Sequence, residues 1–171
     1  MQSNPAAVRT PTLKRRLICL VYEAFLLAAV EMLATLLYLL ATRNQHTPTI
    51  DHGLRFVLFL VTAAYFIHFW TDSGHTLAMK TWRIKLVKAG YARVPLRAAA
   101  LRYLLSWGWF LPALLVSYVF DLTANKSYFS LALVAGIAAW ACTGFLDKDR
   151  QFLHDKLAGT RLIQLPAPGK N

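Results

Sequence analysis

Long apolar stretches alternate with short basic ones along this chain, and the apolar stretches have the length of membrane crossings. From Leu17 to Thr42 there is no Lys or Arg, and the only charged residues are Glu23 and Glu31. Further apolar runs cover Leu54–Trp70, Leu101–Phe120 and Ser127–Leu146. A helix needs about 20 apolar residues to cross a bilayer, so the pattern predicts an all-α membrane protein with four transmembrane helices. The first is roughly 39 Å long at about 1.5 Å per residue and is expected to tilt or overhang the membrane. Pro112 falls mid-way along the third run and is expected to kink it. In the fourth, the small residues Ala132, Ala135, Gly136 and Ala139 favour close helix contact.

The segment Thr71–Ala100 is too long for a tight turn and carries its own pattern. Gly74-His75-Thr76-Leu77-Ala78-Met79-Lys80 predicts a short helical turn at the membrane surface. Trp82, Ile84 and Leu86 then alternate with Arg83 and Lys85, a period of two that predicts a strand. Ala89-Gly90 reads as a turn, and Arg93–Ala100 as a helical lead into the third span. A second strand-like run, Thr160–Leu165, precedes Pro166, Pro168 and Gly169, which end the regular structure and leave 166–171 as a flexible tail. A lone strand leaves its backbone groups unpaired, so the two runs are expected to pair as a small cytoplasmic ribbon.

Composition agrees with a membrane location: 57% of residues are apolar and 16% charged, against about 45–50% and about 25% in ordinary soluble domains. The net charge of +11 would by itself suggest nucleic acid, but the basic residues sort by topology. With residues 1–16 in the cytoplasm, sixteen of the nineteen Lys and Arg fall on that side, and only Arg43, Arg55 and Lys126 fall outside. The positive-inside rule then puts both termini in the cytoplasm. The excess charge meets anionic headgroups of the lipid bilayer, and no nucleic acid is expected as a partner. Cys19 and Cys142 sit in apolar stretches toward the cytoplasmic side and read as free thiols. The first span is too long for a signal-peptide core and is expected to be retained.

Carboxylates within the membrane carry the strongest chemical signal. A charged side chain at the bilayer centre costs about 2.5–3.5 kcal/mol on insertion scales, so such groups face protein or water. Glu23 and Glu31 are eight positions apart, about 80° around the helix, and border one broad face. Arg16 shares a face with Glu23, but seven rises of about 1.5 Å make about 10.5 Å, too far for an easy direct pair. Asp155, close behind the fourth span, is the expected partner of Arg16, leaving Glu23 to meet a base or accept a hydrogen bond.

Several of these pieces together resemble the RDD family of small bacterial membrane proteins, named for an arginine and two acidic positions. They are Arg16 with Glu23 seven residues later, Gly74-His75-Thr76-Leu77-Ala78-Met79-Lys80 followed by Trp82-Arg83-Ile84-Lys85-Leu86-Val87, Arg102, and His154-Asp155-Lys156-Leu157-Ala158-Gly159-Thr160. The resemblance runs from about 14 to 165. It implies an integral protein of the bacterial cytoplasmic membrane with transport as its suspected role, and family-motif charges at Arg16, Glu23 and Asp155. It also singles out Gly74, Thr76, Lys80, Arg102, His154, Gly159 and Thr160. Two positions depart from the family pattern: Glu23 stands where aspartate is typical, and Ala78 where glycine is usual.

No nucleophile–base arrangement and no phosphate-binding glycine loop is apparent, so no enzyme activity and no cofactor are expected. His68 beside Trp70 reads as interfacial packing, and His46, Asp51 and His52 lack a fourth ligand for a metal. Trp70, Tyr103, Trp107, Trp109, Tyr118, Tyr128 and Trp140 read as interface anchors. The expected function is transport or cation/proton exchange using Glu23 and Glu31. Four spans make a thin wall for an aqueous path, so a homo-oligomer is expected. The alternative is a non-transporting accessory protein docking a protein partner or anionic lipid through Arg83, Lys85 and Lys88.

Overall fold

The computed structural model describes residues 9–45, 47–109, 111–120, 126–146 and 151–166. The chain is mostly helical and divides into two compact units, residues 1–86 with 163–171, and residues 87–162.

In the first unit, α1 (Leu13–Ala41) begins where the Thr12 hydroxyl accepts the Arg15 N–H, so it starts a turn before the first apolar run. It ends in a tight turn in which Arg43 and Asn44 adopt left-handed backbone. The second helix, α2 (Pro48–Asp72), is capped by Thr47, with Pro48 at its start and Asp51 in its first turn. It is eight residues longer than the apolar run Leu54–Trp70. Hydropathy does not see that extra length, because capping groups are polar and proline suits a first turn.

α1 and α2 pair antiparallel, with Tyr38 reaching the Ile50 carbonyl near one end and Glu23 reaching Tyr65 toward the other. Both are long and apolar enough to cross a membrane. Their apolar side chains lie largely on the outside: Leu20, Phe25, Met32, Leu36, Leu40 and Phe56 are all exposed. In water such a surface is costly, at about 25 cal/mol per Å² of apolar area; in lipid it is the proper solvent-facing surface.

After α2 the chain reverses through Gly74, whose φ of 77° is left-handed. A short helix, α3 (Leu77–Thr81), follows, capped by Thr76, and then strand β1 (Ile84–Val87). The alternation resolves as expected, with Ile84 and Leu86 buried. β1 pairs with β2 (Arg161–Gln164) in a two-stranded sheet, so the expected ribbon is present. Leu165 N–H reaches Arg83 O at 2.8 Å, and Gln164 N–H reaches Arg9 O at 2.7 Å.

The second unit contains α4 (Leu96–Ser106), a 3₁₀ turn (Trp107–Trp109), α5 (Leu111–Val119), α6 (Lys126–Leu146) and α7 (Leu153–Leu157). α5 packs on α6, and α7 on α4. Where a kink was expected at Pro112, the run Leu101–Phe120 instead holds a 3₁₀ turn at Trp107–Trp109 between α4 and α5. Pro112 is the second residue of α5, where a missing N–H leaves no helical bond unmade. Of the small residues on α6, Ala132 and Gly136 are partly buried while Ala135 and Ala139 stay exposed.

Candidate functional site

Glu23 is 6% exposed, although it lies on a helix whose other side chains mostly face outward. Two hydroxyls reach it. Tyr65 of α2 donates to Oε1 at 2.6 Å, and Thr76 donates to Oε2. The Thr76 oxygen also accepts the Met79 N–H at 3.2 Å, so one hydroxyl both caps α3 and binds the carboxylate. Glu23 therefore joins α1, α2 and the α3 turn at one point.

Its surroundings are fixed from each side. Phe66 and Phe69 set their rings edge-on to Tyr65, with centroids 5.3 and 5.0 Å away. Tyr22, next to Glu23 in sequence, packs edge-on against Trp82 at 5.8 Å, beyond the end of α3. Gly74 holds the turn that presents Thr76. Its carbonyl accepts the Leu86 N–H at 2.7 Å, and a Cβ there would stand 2.7 Å from Leu86 O. Only glycine fits that approach at this φ. Thr76 and Ala78 are each 1% exposed, so the methyl at the position where glycine is usual in the family is fully accommodated.

Glu31, two turns along α1, accepts a hydrogen bond from Thr62 Oγ1 at 2.9 Å. Sequence reasoning found both carboxylates and missed both of these α2 partners. A signal for them exists: Thr62 and Tyr65 are hydroxyl residues three apart in an apolar helix, hence on one face. Arg16 is buried, and its Nε donates to Pro11 O at 3.2 Å.

In the second unit, Asp155 is wholly buried, and Arg102 Nε donates to its Oδ1 at 2.8 Å. Where Arg16 was the expected partner of Asp155, the base found on Asp155 within this unit is Arg102, contributed by α4. The main-chain oxygen of Asp155 accepts both the N–H and the hydroxyl of Thr160, at 2.9 and 3.2 Å. Gly159, at φ 65°, turns the chain between them. His154 stacks on Phe152 at 5.7 Å, with Nε2 3.6 Å from Asp155 Oδ1. Gln151 copies a strand edge, its side chain exchanging two hydrogen bonds with the Leu162 backbone. Lys88 Nζ reaches Ala158 O at 3.3 Å. The His154–Thr160 motif thus builds a buried ion pair and the turn that leads into β2.

Other candidates stay outside these clusters. Lys80, Asp51, His52 and His68 are exposed, and His75 Nδ1 lies 2.9 Å from Ser73 O. Cys19 is buried as a free thiol, one turn before Glu23. His46 and the side chains of Trp109, Trp140 and Cys142 lie outside the described residues.

A model of the RDD family matches residues 10–159, a range that contains Arg16, Glu23, the Gly74–Lys80 turn, Arg102 and Asp155. Comparisons with curated proteins and with solved structures return no match. With the match covering most of the sequence, and the motif residues forming two buried clusters within it, the chain belongs to the RDD family of membrane proteins.

Proposed function

We propose that this protein exchanges protons or small cations across the bacterial cytoplasmic membrane, with Glu23 as the principal ion-binding group and Glu31 as a second one further along α1. The observation that carries this reading is how the buried carboxylates Glu23 and Asp155 and the partly buried Glu31 are balanced. Asp155 faces a guanidinium, so its charge is neutralised within the fold. Among the described residues, the hydrogen bonds to Glu23 and Glu31 come from the neutral hydroxyls of Tyr65, Thr76 and Thr62. Neutral donors satisfy carboxylate lone pairs but leave the negative charge, and an uncompensated charge away from water is strongly disfavoured. A mobile positive ion is the natural complement.

In this reading the chain crosses four times. The third crossing is the broken stretch from α4 through α5, the fourth is α6, and both termini are cytoplasmic as the basic residues dictate. Copies assemble to enclose the path. The experiment is ion flux in proteoliposomes under an imposed cation gradient. Wild type acidifies or alkalinises the lumen, and Glu23→Gln, folded by circular dichroism, loses that response. Full activity in Glu23→Gln, or no activity in wild type, overturns the reading.

A further inference from the structure

We propose that the ion taken up by Glu23 is a proton and not a metal cation. The inference rests on the exchange reading for its physiological meaning, while the binding event itself stands on the geometry of the site. Both oxygens of the carboxylate are in direct hydrogen-bond contact with a hydroxyl, Oε1 with Tyr65 at 2.6 Å and Oε2 with Thr76. Two oxygens that share a hard cation at about 2.3–2.6 Å, with angles near 90°, stand roughly 3.3–3.7 Å apart. The Glu23–Tyr65 contact is far inside that span. Such cations also gather about 6–8 oxygens, whereas the oxygens hydrogen-bonded together here, among the described residues, are those of two hydroxyls and one carboxylate.

A proton needs no such space, and the partners serve both protonation states. With Glu23 ionised, Thr76 and Tyr65 each donate to it. With a proton on Oε2, the Thr76 bond reverses: the hydroxyl oxygen has two lone pairs, one holding the Met79 N–H and the other free to accept from Glu23. Tyr65 continues to donate to Oε1. No heavy atom has to move, and α3 keeps its cap throughout. The titratable groups facing Glu23 are Cys19 on its own helix and Tyr65 on α2. The α3 segment presents the neutral Thr76, while Lys80 is exposed and His75 is engaged with Ser73.

The test is infrared difference spectroscopy of the full-length protein in lipid nanodiscs, stepped between acid and alkaline pH in the presence and absence of Na⁺, K⁺ or Li⁺. A protonated-carboxyl band is expected, with a titration midpoint unmoved by any of the three cations. The band is lost in Glu23→Gln and shifts in frequency in Tyr65→Phe, which removes one donor and keeps the ring. A midpoint driven downward as cation concentration rises shows competition at the carboxylate and overturns the inference while leaving ion exchange intact. A band unaffected by both substitutions also overturns it. Should the band behave as expected while proteoliposomes show no flux, proton binding stands and the exchange reading falls.

Discussion

Asp155 lies wholly buried against the Arg102 guanidinium, so removing either partner strands a full charge in a site that water does not reach. Breaking a buried pair from one side costs about 3–5 kcal/mol. Asp155→Asn and Arg102→Leu are therefore each expected to lower the thermal midpoint of the detergent-solubilised protein sharply. The double variant should lose less than the sum of the two, because it leaves neither charge alone. Glu23→Gln should behave differently. The amide oxygen still accepts from Tyr65, and the amide nitrogen can donate to the Thr76 oxygen in a reversed bond, so stability should change far less while ion flux is lost. Thermal scans of the four variants side by side check this contrast between a carboxylate paired with a guanidinium and one that, among the described residues, receives only hydroxyls.

Among the elements, the turn between α2 and β1 shows most directly how a local conformation positions the site. Gly74 is left-handed and in backbone contact with Leu86, whereas Gly90 has a similar φ with open space around it. A side chain in left-handed backbone costs about 1–2 kcal/mol. Gly90→Ala should cost that alone, and Gly74→Ala should cost clearly more because Leu86 O blocks the new methyl. Since Gly74 presents Thr76, Gly74→Ala should also disturb Glu23, read as a shift of its infrared band that Gly90→Ala does not produce. The α1–α2 hairpin carries a related close approach: a Cβ at Gly53 would fall 2.3 Å from the Tyr38 hydroxyl, which binds Ile50 O.

For the whole molecule, family membership and two outward-apolar helices establish a membrane protein. Four crossings and a cytoplasmic location for both ends are the expectation that the charge distribution adds. Reporter fusions at residues 1 and 171 should both signal from the cytoplasm, and insertions near 45 and 123 from the opposite side. Opposite signals from the two ends would remove the even-numbered topology. Cross-linking in native membranes should give a discrete homo-oligomer, as a path enclosed by so few helices requires.

Apolar-run length, strand alternation and charge asymmetry are local properties, so they could be read along the chain. They placed α1, the ribbon strands, the α3 turn and both carboxylates of the first apolar run. The length of α2 was less legible because its first turn is polar, and Pro112 misled because proline reads alike at a kink and at a helix start. Partner choice lay beyond the sequence. Asp155 meets Arg102 across 53 residues of chain, Glu23 meets Tyr65 across 42, and Thr62 reaches Glu31 across 31. Distances of that kind are set by how helices register against one another, which depends on the summed packing of many side chains. A linear sequence names the charges that must be balanced; the fold decides which meet a guanidinium and which, among the described residues, meet hydroxyls.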